Sequence, residues 1–199
     1  MAKPEYSLII RKAVKADAPD ILSILKDSFG QYIKLSGIPL GIEDMLDDVG
    51  AIERDIDEID VFIAVLDGVP VGTVRVSVGN ASGKCGSTAS NAVPDGKGAP
   101  LITCAYAAVE SQSPAAGAAA TARLTKLGVA SGYNNIGIGK SLMNLVDKVI
   151  IERGVGTLEL YTAAKNAKIM RFYYGRGFYV DSTTKDRGYV RALMKKDYL

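Results

Sequence analysis

LGVASGYNNIGIGKSLM, residues 127 to 143, is the stretch on which the reading of this chain turns. A strand-like end at Leu127 to Val129 runs into a glycine-punctuated turn and then into the start of an apolar-striped helix. That order makes an anion site. The first N–H groups of a helix have no intrahelical partner, and the helix dipole favours negative charge there. Glycine lets a phosphate oxygen approach those N–H groups without a Cβ in the way. Ile136, Gly137, Ile138, Gly139 and Lys140 are thus placed to cradle a pyrophosphate, with Lys140 and Ser141 adding polar contacts. A plain tight turn from strand to helix asks for the same small residues, so the loop alone does not decide.

Two familiar phosphate loops fail on this stretch. Gly139-Lys140-Ser141 within it matches the end of a nucleotide P-loop, but Asn134 stands where that loop has its first glycine. Roughly 60 residues follow, too few for the remaining parallel strands, and no strand there ends in an aspartate suited to magnesium. Gly137-Ile138-Gly139 resembles a dinucleotide turn, but Leu142 takes the place of its third glycine. Glu159 stands about where that motif has its acidic residue, so the topology must decide.

Outward from the loop, the chain alternates strand and helix patterns. Upstream, SLIIRKAV (7–14) reads as a strand, and Asp17 as the N-cap of a helix with Ile21, Leu22, Ile24 and Leu25 on its apolar face. GQYIKLSGIPLG reads as a loop or broken helix, and an acidic helix follows in which Gly50 is a potential break. VFIAVLD and VPVGTVRVSVG make a hairpin turning at Gly68. Residues 80 to 120 are rich in Gly, Ala, Ser and Pro and read as an insertion with partial order, LITCAYAAVE within it being a strand or short helix. ARLTKLGVA is the strand before the loop, and GKSLMNLVDKVIIERG the helix after it. Then come the strand GTLELYT, a short helix NAKIMRFYYGRG ending at Gly175 or Gly177, and the strands FYVDSTT and YVRALMKK. The order β-α-α-β-β-β-α-β-α-β-β predicts an α/β (α+β) fold over residues 1–199 as one domain, with a mixed sheet.

Composition narrows the chemistry. The chain has 199 residues, 48% hydrophobic and 23% charged, with a formal net charge of +2, too small to imply nucleic-acid or membrane binding. No apolar run approaches the roughly 20 residues that span a bilayer, and the N-terminus lacks a signal-peptide pattern, so the expected location is cytoplasmic. Histidine is absent, which excludes His-based triads. Cys85 and Cys104 form no CxxC pair, so no metal is expected.

Two motifs in sequence give these elements a family resemblance. LGVASGYNNIGIGKSLM is similar to the acyl-CoA loop of the GNAT superfamily of acetyl-CoA-dependent N-acetyltransferases, with Leu127 and Val129 at the strand end and Gly137 and Gly139 as its glycines. NAKIMRFYYGRGF is similar to the same family's second motif, with Asn166, Phe172, Tyr173, Gly177 and Phe178 in register. Asn134 and Asn135 depart from the usual Arg or Gln and Gly, and Ile169 from the usual Ala. Asparagine still hydrogen-bonds and tolerates left-handed backbone, but it gives up the charge.

The resemblance implies a single domain whose mostly antiparallel mixed sheet is splayed at the acyl-CoA site and flanked by helices. It implies acetyl-CoA as cosubstrate and direct transfer of the acetyl group to an amine in a ternary complex. The loop from Asn134 to Ser141 would hold the pyrophosphate. The edge at Leu127 and Val129 would pair with the pantetheine amides. Asn166 would bond the pantetheine or cap its helix, and Tyr173 would stabilise the leaving sulfur. Some members carry a glutamate four residues before the Leu of Leu-x-Val; Arg123 stands there, which closes that route to a base. Glu159, Glu110, an acid between 43 and 60, or a water chain remain. A catalytically silent acyl-CoA-binding regulatory domain is the alternative.

The acceptor, a small-molecule or protein amine, would lie against the first two helices and the insertion. Tyr32 and Tyr106 are candidates to line its cleft, although an ordinary core or surface place suits each as well. The acidic run Glu43, Asp44, Asp47, Asp48, Glu53, Asp55, Asp57, Glu58 and Asp60 would attract a cationic amine, or form the solvated face of a helix. The family often forms homodimers.

Overall fold

The computed structural model describes residues 7–39, 47–79, 120–185 and 187–198. Its strands are β1 (Leu8–Lys12), β2 (Asp60–Leu66), β3 (Val69–Gly79), β4 (Thr121–Val129), β5 (Thr157–Ala163), β6 (Tyr179–Thr184) and β7 (Arg191–Asp197). Its helices are α1 (Ala18–Ser36), α2 (Val49–Glu58), α3 (Ile138–Glu152) and α4 (Ala167–Tyr174). The strands form one sheet in the order β1-β2-β3-β4-β5-β7-β6. Every pairing is antiparallel except that of β4 with β5. This is the element order expected from the sequence. The insertion expected at 80–120, with Cys85, Cys104, Tyr106 and Glu110, lies outside the described residues apart from Ala120, as do Glu43 and Asp44.

Period-two alternation sorts the strands between two faces. On β2, Val61 and Ile63 join the cluster under α1 and α2, while Phe62 and Ala64 join the larger cluster under α3 and α4. Leu158 and Leu160 of β5 face the second cluster with Leu142, Met143, Val146 and Ile150 of α3. Each such side chain fully buried stabilises by about 1.5–3 kcal/mol. Asp67 and Gly68 both take positive φ, 49° and 82°, the turn that matches the right-handed twist of the β2–β3 hairpin.

Helix α1 is longer than its sequence suggested. GQYIKLS continues it through Gly30, and it stops at Gly37, whose φ of 60° lets the Gly37 and Ile38 N–H groups both reach the Ile33 carbonyl. Tertiary packing overrides the cost of a mid-helix glycine, about 1 kcal/mol. Gly50 likewise does not break α2; it sits in its first turn, behind Asp48, whose side chain accepts from Ala51 N–H. Asp17 stands at the N-cap of α1 but makes no side-chain cap bond; its carboxylate takes both Arg11 nitrogens, at 2.6 and 2.8 Å, and the Val14 N–H.

The sheet opens in its middle. β4 and β5 pair only from Thr121 to Arg123 and from Thr157 to Glu159, and the longer halves of both strands diverge. A bulge on β4 falls at the opening: Lys126 has a φ of 52°, and the register with β3 shifts there. Such bulges bend a strand and increase its twist. Two glycines let the helices close on β3 and β4 from opposite faces. A Cβ at Gly128 would lie 2.6 Å from Ser28 Oγ of α1, and one at Gly72 3.0 Å from Ile138 Cγ2 of α3.

Candidate active site

The opening between β4 and β5 gathers the residues that the sequence singled out. Ala130 N–H donates to the Val71 carbonyl, toward β3. Strand alternation then turns the backbone groups of Val129 and Leu127 the other way, into the splay. Both side chains are partly buried against the larger core. This is an open sheet edge inside the molecule, where unpaired N–H and C=O groups need partners.

Below that edge the chain makes a short 3-10 turn at Ser131–Tyr133 and enters α3. Asp27 of α1 accepts from the Ser131 N–H and braces the turn. Asn134 donates from its side-chain amide to the Ser131 carbonyl at 3.1 Å, so one of its N–H groups serves its own loop. Asn135 takes φ 64°, the left-handed conformation that asparagine tolerates. Gly137 is the N-cap of α3 with φ 100°, and no side chain caps that end. The first intrahelical bond runs from Ser141 N–H to the Gly137 carbonyl. The N–H groups of Ile138, Gly139 and Lys140 therefore lack helical partners and form the positive end of the dipole. Ile138 offers only its backbone, since its side chain is core; Ile136 is exposed, and Lys140 is exposed beside the same turn. At Gly139 a Cβ would meet Phe172 and Val129 at an ordinary 3.8 Å.

Helix α4 supplies Tyr173. Its ring is edge-on to Phe172 and Phe178, with centroids 5.3 and 5.4 Å away. Burial pushes its hydroxyl pKa well above the ordinary tyrosine range, and nearby Tyr32 adds a smaller upward push. Tyr173 is therefore a protonated donor across the neutral range. Asn166 has a structural role. Its Oδ1 accepts from Ile169 N–H as the α4 cap, and its Nδ2 donates to Ser36 Oγ at 3.0 Å.

Helix α1 bridges the opening. Ser28, Tyr32 and Ser36 recur every fourth residue and so share one stripe. Ser28 packs on Gly128 of β4, Tyr32 reaches β5, and Ser36 reaches Asn166 at the start of α4. The Tyr32 hydroxyl accepts from Ala163 N–H at 2.7 Å and lies 3.5 Å from Thr162 Oγ1. Tyr32 thus reaches across the opening from α1 to β5, a place that its sequence neighbourhood could not distinguish from core or surface.

The acidic candidates sit elsewhere. Glu159 accepts from Arg123 Nε and Nη2 at 2.9 and 2.5 Å, at the last paired rung of β4 and β5. Arg75 of β3 is only 2% exposed; it bonds Asp47 at 2.8 Å and also Asp55, whose carboxyl is pushed upward by burial against the opposing pull of Arg75. Asp60 pairs with Lys12 and Arg153, Asp57 with Lys15, and Asp48 caps α2. Most of the described acidic run is thus spent inside the fold. Among the described residues, no group of three or more His, Cys, Asp or Glu side chains is placed to hold a metal ion. No described helix is long and apolar enough to cross a membrane.

Known proteins agree with this architecture. Coenzyme A-bound PaiA N-acetyltransferase from Thermoplasma acidophilum superposes with a TM-score of 0.68 at 19% identity, over 96% of this chain and 99% of that one. A GNAT-family acetyltransferase from Streptococcus pneumoniae gives 0.60 at 16% identity, over 97% and 100%. Ribosomal-protein-alanine N-acetyltransferase from Brucella melitensis gives 0.54 at 19%, over 96% and 99%. No curated protein sequence matches the chain. The family model of the acetyltransferase (GNAT) family matches residues 20–178. The splayed sheet, the uncapped α3 start and that match lead to one conclusion: this chain belongs to the GNAT acetyltransferase family.

Proposed function

We propose that this acetyltransferase moves the acetyl group of acetyl-CoA to a primary amine by direct transfer in a ternary complex, residues 1–199 acting as one domain. The observation that carries the reading is the splayed β4 edge ending in an uncapped helix start. The N–H groups from Gly137 to Lys140 fit a pyrophosphate, with Asn134, Asn135 and Ile136 shaping the approach and Lys140 and Ser141 beside it. The backbone of Leu127 and Val129 fits the pantetheine amides as an added strand. Bound acetyl-CoA would supply a thioester, whose acyl carbon is the electrophile. Tyr173 donates a hydrogen bond to the departing sulfur. A thiol pKa of about 8.5 lies below that of even an unperturbed tyrosine at about 10, so hydrogen bonding rather than full proton transfer is its role. Asn166 holds the start of α4, and with it Tyr173, in place.

With Glu159 engaged by Arg123, the amine loses its proton to water. The same pairing supports the second reading, a catalytically silent acyl-CoA-binding domain. Calorimetric titration with acetyl-CoA and with ATP, followed by thiol release across an amine panel, separates the readings. Acetyl-CoA is expected to bind, ATP not to, and thiol release to need an amine. ATP binding without acetyl-CoA binding sinks both readings, and acetyl-CoA binding with no turnover leaves the silent domain. Tyr173→Phe should lower kcat about 10- to 100-fold with little change in acetyl-CoA affinity. Because burial holds the Tyr173 pKa up, the wild-type rate should show no alkaline loss near pH 10.

A further inference from the structure

Where α1 ends, a cavity of about 170 Å³ lies between its last turn, the β5–α4 turn and the β6–β7 turn. Ser36 and Gly37 line it from α1, Lys165 from the turn after β5, and Lys185, Gly188 and Tyr189 from the turn after β6. It adjoins the splay, because Ser36 is one helical turn beyond Tyr32 on the same stripe. Four residues of helix advance on the order of 6 Å.

Among the described residues, the charged side chains that line this cavity are both cations. Lys165 and Lys185 are exposed, and neither has a carboxylate within ion-pair distance among the described residues. Ser36 is 3% exposed; its oxygen accepts from Asn166, and its own proton has no acceptor among the described residues. Gly37 and Gly188 take positive φ, 60° and 74°, and carry no side chain into the space. The C-terminal dipole of α1 opposes an anion here, but it amounts to about half a charge against two full cations. Its last turn is also partly closed, by the Gly37 and Ile38 N–H groups on the Ile33 carbonyl.

Most of the described acids that would favour a cationic acceptor are spent elsewhere, on Arg75, Lys12, Lys15 and Arg153 and on the α2 cap. We propose that this cavity binds an anionic group, carboxylate or phosphate, carried by a small acceptor amine, with Lys165, Lys185 and Ser36 as its specificity-determining residues. The inference rests on the acetyl-transfer reading for the identity of the ligand as acceptor, and on the cavity alone for its anion selectivity.

Matched probes test it: an amino acid against its methyl ester, and an aminosugar phosphate against the unphosphorylated sugar. Amide NMR titrations of the full chain without acetyl-CoA should shift Gly37 and Gly188 with an anionic member of the pairs. It should bind about tenfold or more tighter than its neutral partner, the scale of one charge-assisted hydrogen bond. The stronger-binding pair identifies carboxylate or phosphate as the anion. The K165Q/K185Q double variant should abolish the preference, and the double Lys→Arg variant should retain part of it. Thiol release from acetyl-CoA should carry the same preference in kcat/KM. Equal binding of charged and neutral partners, no shift with either anion, or a preference that survives the double Lys→Gln variant overturns the proposal. Anion-selective shifts with no thiol release from any acceptor would sink acetyl transfer and leave the anion site standing. Transfer with no anion preference would do the reverse.

Discussion

The two sides of the β4–β5 opening are made of different material. On the α3 side the site is backbone: a sheet edge at Leu127 and Val129, a left-handed Gly137 and the orphan N–H groups behind it. On the α1 side the proposed site is side chains from distant places in the chain, Tyr32 and Ser36 from α1, Lys165 and Lys185 from two turns, with Arg75 buried under α1 and α2 against two half-buried carboxylates. Backbone chemistry serves a ligand common to many proteins and leaves a local motif. Side-chain chemistry serves whatever is particular to one protein and leaves no local motif.

The contrast can be broken most forcefully at Arg75. Arg75→Leu leaves Asp55 without its guanidinium and Asp47 with Lys126 alone, and should cost about 2–3 kcal/mol, the scale of hydrogen bonds to charged groups, read as a drop in the urea midpoint. A loss below about 1 kcal/mol would mean that the pair contributes nothing net. On the backbone side, Gly137→Val should cost about 1–3 kcal/mol, because φ 100° is strained for any side chain, and weaken acetyl-CoA binding about tenfold. Gly139→Ala sharpens the point. Its Cβ has room and it sits in the first turn of α3, so stability should hold or rise by about 0.5–1 kcal/mol. Equal damage from both substitutions would show that bulk, not backbone conformation, governs the loop.

The smallest effect concerns Asp17. The hydrogen bond from Arg11 holds its carboxyl below the usual aspartate range, outweighing its burial. A depressed folded pKa means that the contribution is present above the unfolded value, about 3.9, and is lost as pH falls through the folded value. Arg11 is 44% exposed, so screening limits the effect to about 1 kcal/mol. Asp17→Asn should lower the melting temperature at pH 6 and narrow the gap to wild type near pH 3. A gap that stays constant with pH would assign the loss to packing.

Much of the fold was legible because its signals are local. Leu158, Leu160 and Thr162 alternate in sequence and all prove buried; the Asp67-Gly68 turn and the Gly137 helix start carry their own conformational signatures. Two local signals misled. Gly30 and Gly50 read as breaks, yet α1 and α2 run through them because each helix buries an apolar face, Ile21 and Leu25 in one and Ile52 in the other. The bulge at Lys126 had no signal, since a lysine at φ 52° looks like any strand lysine. Glu159 is one base candidate among several in the sequence, and its pairing with Arg123 emerges only from the β4–β5 register.

The sequence by itself determined the order of elements, the phosphate-type loop and the family resemblance, since each depends on neighbours within a few residues. Only the tertiary structure decided which charges remain available. The acidic run looked like a lure for a cation, and folding brought Lys12, Lys15, Arg75 and Arg153 to it from other segments. Whether an exposed charge is spent or free depends on Coulomb partners a few ångströms away in space, and sequence distance says nothing about those.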